Sequence, residues 1–153
     1  MTQKKNYILA VLVFVLSLSC LTFSQSLEDA FNYSGSGLLV QRARLSLTAL
    51  NISNLTTLED QSTGLPWQQR YAVVAPDAKG VRITSIEKSK EPFGKYNDAA
   101  VPQSNSEGFF SYPNVNLPDE MINLSYTETM FEANVKAFQN TKAAATQFID
   151  MMK

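Results

Sequence analysis

Apolar residues return every seven positions at both ends of this chain, and the rhythm fails in between. Over Leu27 to Leu55, Phe31, Leu38, Leu45 and Ile52 recur at heptad spacing, with Gly35, Arg42 and Ala49 between them. A second stripe of Leu39, Ala43, Leu47 and Leu50 widens the apolar face, as an amphipathic helix requires. Gly35 and Gly37 each cost a helix about 1 kcal/mol against Ala, so they mark a kink or a close approach of a neighbour. The C-terminal stripe is longer. Leu117, Met121, Leu124, Glu128, Phe131, Val135, Phe138, Lys142, Ala145, Ile149 and Met152 alternate steps of four and three. Asn116 is placed as N-cap, Pro118 falls in the first turn, and Asp119 and Glu120 suit the positive helix end. Such a helix of roughly 35 residues is about 50 Å long. No small core covers that length, so it needs the first helix and further copies as partners.

Between the helices the pattern changes period. Asn51 to Gly64 is polar and reads as a loop. Trp67 to Ala75 reads as a strand, Pro76 to Gly80 as a turn, and Val81 to Lys88 alternates as a second strand, together a hairpin. Glu91 to Tyr112 is rich in Pro, Gly, Ser and Asn and reads as irregular, with a short strand near Gly108 to Tyr112. The predicted class is α+β: long terminal helices paired as a coiled coil around a small β-rich middle. The divisions fall at 1–24, 25–55, 56–112 and 113–153.

Residues 1–24 read as an export leader. Lys4 and Lys5 precede an uncharged apolar run, Tyr7 to Leu18, and small residues follow. Thr22 and Ser24 fit cleavage after Ser24. Lipidation at Cys20 and an uncleaved membrane anchor are the alternatives.

Composition then removes chemistry. The 153 residues carry a net charge of −1, which gives no electrostatic reason to bind nucleic acid. Histidine is absent, which excludes Ser-His-Asp, Cys-His and His-metal sites, and the single cysteine excludes an internal disulfide. The acidic pairs Glu59-Asp60 and Asp119-Glu120 read as a polar loop and a helix start. Trp67 and Tyr71 read as core anchors at a strand start. No catalytic residue, metal ligand or cofactor site is expected, and no small-molecule substrate.

Ordered sequence pieces resemble the flagellar rod and hook protein family. Ser36 to Leu45 resembles the family's first helix, and Ala49-Leu50-Asn51-Ile52-Ser53-Asn54 its A-x-N-[LI]-[AS]-N signature. Leu65 to Tyr71 and Gly80 to Glu87 are similar to its central segments. Tyr112-Pro113-Asn114-Val115-Asn116 leads into Glu120-Met121 and Phe131-Glu132-Ala133-Asn134, as the family pattern does. The resemblance covers Leu27 to Lys153. It implies a structural subunit of the flagellar basal-body rod that polymerises through its terminal helices, transmits torque across the periplasm and serves motility. The implied partners are other copies and other rod proteins, with membrane contact only through an N-terminal anchor. The implied assembly seam is Leu38, Leu45, Ile52, Leu117, Met121, Leu124, Phe131, Val135, Phe138 and Ile149. Asn51, Asn54, Pro113, Asn114, Asn116, Glu120, Ala133 and Asn134 are the implied motif and junction positions. A Sec-exported periplasmic or lipoprotein paralogue that keeps the fold is the alternative.

Overall fold

The computed structural model describes the backbone of residues 2–152 and the side chains of residues 26–152. The leader expected over residues 1–24, with Cys20, lies outside the described side chains. The elements in order are α1 (Thr2–Ser53), β1 (Arg70–Asp77), β2 (Gly80–Lys88), β3 (Gly94–Asn97), β4 (Phe109–Tyr112) and α2 (Leu117–Met151). The fold is α+β, two long helices and two small antiparallel hairpins. Among the described residues, no helix is long and apolar enough to cross a membrane.

α1 and α2 pack antiparallel, with contacts running from Phe31–Phe138 to Asn51–Glu120. Three contacts fix the register: Asn51 with Glu120, Gly37 with Asn134, and Phe31 edge-on to Phe138 at 5.2 Å. The buried or half-buried face of α2 is Glu120, Leu124, Thr127, Phe131, Asn134, Phe138, Thr141, Ala145 and Phe148. The heptad spacing is as predicted, but half of the stripe shifts by one residue. Leu124, Phe131 and Phe138 face α1, and Val135 sits half-buried at the margin. Leu117, Met121 and Ile149 instead point outward, with Met121 59% and Ile149 55% exposed. The shift resolves the two charges in the predicted stripe: Glu128 and Lys142 are exposed, and Thr127 and Thr141 take the inner positions. On α1, Leu38, Leu45 and Ile52 are half-buried, while Val40, Leu47, Thr48 and Asn51 are buried.

The two helical glycines differ. A Cβ at Gly37 would come within 2.9 Å of the Asn134 side chain, so the missing side chain admits that amide. Gly35 faces open space, and α1 continues through both without a break.

β1 and β2 form the expected hairpin, with Ala78 and Lys79 at its tip and a bulge between Val73 and Val74. β1 begins at Arg70, three residues later than predicted, because the Trp67 N–H is committed to the Thr57 carbonyl. The tip leans on α1. The Val81 N–H donates to Ser36 Oγ at 3.2 Å, and Lys79 pairs with Glu28 at 2.8 Å. The region expected to be mostly irregular contains a second hairpin, β3 with β4, with Tyr96 opposite Phe110 and Asn97 opposite Phe109. β3 has only one apolar residue, Tyr96, so nothing in its own sequence alternates.

Candidate functional site: a polar junction between helices and sheet

α1 ends where the chain leaves for β1, and α2 begins where it returns. Asn51 sits at that corner, 2% exposed, with all its amide valences used. Its Oδ1 accepts the Arg70 backbone N–H at 2.9 Å and the Trp67 indole N–H at 3.3 Å. Its Nδ2 donates to the Arg70 carbonyl at 2.9 Å and to Glu120 Oε1 at 3.0 Å. The partners fix the amide's orientation, since two can only donate and two can only accept.

Glu120 is the second pivot, also 2% exposed. Gln69 Nε2 donates to its Oε1 at 2.6 Å, beside the bond from Asn51. Glu120 lies in the first turn of α2, as the sequence implies, and beyond that its carboxylate is a buried acceptor that ties the start of α2 to α1 and β1. Asn114 completes the junction. Its Oδ1 accepts the Gln69 backbone N–H at 2.9 Å, and its Nδ2 donates to the Glu91 carbonyl at 2.7 Å. One side chain thus joins the base of the first hairpin to the entrance of α2.

The remaining motif positions have local roles. Asn54 Nδ2 donates to the Leu50 carbonyl at 2.8 Å, satisfying an orphan acceptor at the end of α1. Asn116 flanks α2 as expected but makes no side-chain cap bond; its carbonyl accepts the Glu120 N–H at 3.0 Å. Pro113 is buried, Ala133 is exposed, and Asn134 lies against Gly37. Of the two aromatic anchors only Trp67 is one, at 6% exposed; Tyr71 is 43% exposed and lines the cleft beside the junction.

Sequence reasoning missed Gln69 and Arg70 as junction groups. Arg70 stacks its guanidinium 4.1 Å from the Trp67 ring centroid and pairs with Asp60 at 3.3 Å. A faint signal existed on the facing helices. Ser34, Gln41 and Thr48, then Gly37, Arg44 and Asn51, then Glu120, Thr127, Asn134 and Thr141, are polar or small residues at heptad spacing. A cleft of about 260 Å³ opens beside the junction, lined by Arg44, Thr48, Tyr71, Asn123 and Tyr126 among others.

Charge placement supports the tie points. The Ser62 N–H and hydroxyl, both donated to Asp60, hold its carboxyl below the usual range, and the Arg70 charge adds to this. Glu28 is lowered by the hydrogen bond and charge of Lys79, and Lys79 is raised by the same pair. The arrangement fixes the angle and register of two helices against a hairpin.

A helical hairpin closed by a polar junction on these motif positions defines a structural class. Residues 106–152 match the family described as flagellar basal body rod FlgEFG protein C-terminal. Beyond that C-terminal match, the chain is similar over most of its length to the flagellar basal-body rod protein FlgC of several bacteria. It is 29% identical to that of Borreliella burgdorferi over 140 residues, covering 76% of this chain and 91% of the relative. It is 26% identical to that of Salmonella typhimurium over 124 residues, covering 77% and 92%. It is 26% identical to that of Bacillus subtilis over 145 residues, covering 81% and 97%.

Proposed function

We propose that this chain is a structural subunit of the bacterial flagellar basal-body rod, built into it through its paired terminal helices and serving motility. The observation that carries the reading is the junction itself. Asn51, Asn114 and Glu120, positions singled out by the family pattern, converge on one buried network that sets the helix pair. The pairing inside the chain uses Leu124, Phe131 and Phe138. The outward residues Leu117, Met121 and Ile149 are then the part of the stripe that meets neighbouring copies and other rod proteins. Such heterologous contacts propagate instead of closing, which suits a rod under torque. The reading assigns the chain no catalysis, and it places the subunit in the periplasm, where the rod lies.

The leader favours a second route to the same place: delivery by the general export pathway, with cleavage after Ser24 or lipidation at Cys20. N-terminal sequencing of the mature protein separates these routes, since an intact Met1 contradicts both. The functional reading is tested by deletion and complementation. Loss of swimming in soft agar, restored by the wild-type chain, is expected. Normal motility in the deletion strain contradicts it.

A further inference from the structure

Within the chain, the β3–β4 hairpin stands apart from the helix pair and the first hairpin. Its strands pack on each other and on no helix or other strand among the described residues. An isolated two-stranded hairpin is marginal in water, so something local must hold this one. Two devices do. On one face Tyr96, Phe110 and Tyr112 cluster, with ring centroids 5.3 Å apart for Tyr96–Tyr112 and 6.1 Å for Tyr96–Phe110. At the tip the connecting loop is pinned to the strands. Asn105 Oδ1 accepts the Phe109 N–H at 2.9 Å and the Glu107 N–H at 3.0 Å, and the Asp98 N–H donates to the Gly108 carbonyl at 2.8 Å.

The opposite face is a groove of about 510 Å³, lined by Lys95, Gln103, Asn105, Glu107, Phe109 and Ser111, with Phe110 at its edge. Cross-strand pairing places Lys95 opposite Ser111 and Asn97 opposite Phe109, so the ring of Phe109 lies among polar groups. That ring is 44% exposed. Among the described residues, the Lys95 ammonium, the Gln103 amide, the Glu107 carboxylate and the Ser111 hydroxyl make no hydrogen bond or ion pair. Asn105 has spent its Oδ1 on the loop, which leaves its amide hydrogens for a ligand. The walls therefore offer both donors and acceptors around one exposed aromatic face.

We infer that this groove binds a saccharide, with a pyranose ring stacked on Phe109 and its hydroxyls or acetamido groups bonded by Lys95, Gln103, Asn105, Glu107 and Ser111. A sugar ring has the matching duality, an apolar face of C–H groups and a polar rim. A purely apolar ligand would leave five polar groups unpaired, and an anion would meet the Glu107 carboxylate. The pinned loop makes the groove preformed, which lowers the ordering cost of binding. The inference does not depend on the rod reading.

The test uses the purified, isotope-labelled full chain and the β-1,4-linked trimer of N-acetylglucosamine. Saturable backbone shifts confined to residues 95–111, with a Kd on the order of 1 mM, are expected. Phe109→Ala should weaken binding about tenfold. The aromatic cluster lies on the other face, so unchanged Tyr96 and Tyr112 signals report that the hairpin persists. Gln103→Ala, in the loop, is a second variant that should also weaken binding. Absence of saturable shifts overturns the inference, as does a Phe109→Ala protein that binds as the wild type does. Binding of a short charged peptide in place of the sugar overturns it too.

Discussion

Asn51 makes four hydrogen bonds from one buried amide, and its substitution by an almost isosteric residue is therefore informative. Asn51→Asp replaces two donors with an acceptor and sets a second carboxylate against Glu120. Leaving buried polar groups unpaired and like-charged is expected to cost about 2–3 kcal/mol, read as a lower urea midpoint. Glu120→Gln keeps an acceptor for Asn51 and Gln69 and should cost less than about 1 kcal/mol. If both variants lose equal stability, the amide orientation described above is wrong. Gln41 shows the opposite case: its Oε1 is buried without a partner among the described residues. Gln41→Met removes that unmet acceptor and is expected to stabilise by about 1 kcal/mol, seen as a rise in Tm. None of these buried roles could be read from residue type alone, since Asn and Glu are usually exposed. What the sequence did carry was position. Asn51, Arg70 and Glu120 belonged to a recognisable family pattern, while Gln69 held one of its unspecified positions, with nothing to single it out.

The helices were the most legible elements, because a period sustained over about six turns in one and about ten in the other is hard to produce by chance. Their phase was less legible. Leu117, Met121 and Ile149 are strongly apolar, and hydrophobicity alone drew them into the stripe. The actual inner face gives several of its positions to Thr and Asn, chosen for size and hydrogen bonding over hydrophobicity. Gly37→Ala tests this at the level of the helix pair. The added Cβ would meet Asn134, so a loss of stability is expected that Asn134→Ala largely restores. A double-mutant cycle with no coupling would show that the contact does not set the register.

The first hairpin was visible from its alternation and turn, whereas β3 was not, because its strand character comes from pairing with β4. The hairpin tip also makes a pH-dependent tie to α1. Glu28 has a lowered pKa, so its contribution is full above the ordinary carboxylate range and is lost as pH falls through the folded value. Lys79 has a raised pKa, so its contribution is full below the ordinary lysine range and is lost only above it. The difference in Tm between wild type and Lys79→Met should therefore be present at neutral pH. It should fade in acid below about pH 4, and shrink with added salt. A difference that persists unchanged in acid would mean that Lys79 acts through packing.

For the whole molecule, the proposed function has intrachain pairing and intermolecular assembly use different faces of the same helices, and substitutions should separate them. Phe131→Asp places a charge in the internal seam and is expected to lower stability by several kcal/mol, with assembly lost as a consequence. Met121→Asp changes a side chain already in water and should leave the fold within about 0.5 kcal/mol of wild type. Its effect should fall on assembly alone. The most direct measurement is quantitative mass spectrometry of purified basal bodies from cells expressing either the wild-type chain or Met121→Asp. The account predicts that the wild-type chain is present in a fixed ratio to the other rod proteins. It predicts that the folded Met121→Asp chain is depleted from them. Basal bodies that lack the wild-type chain would contradict it.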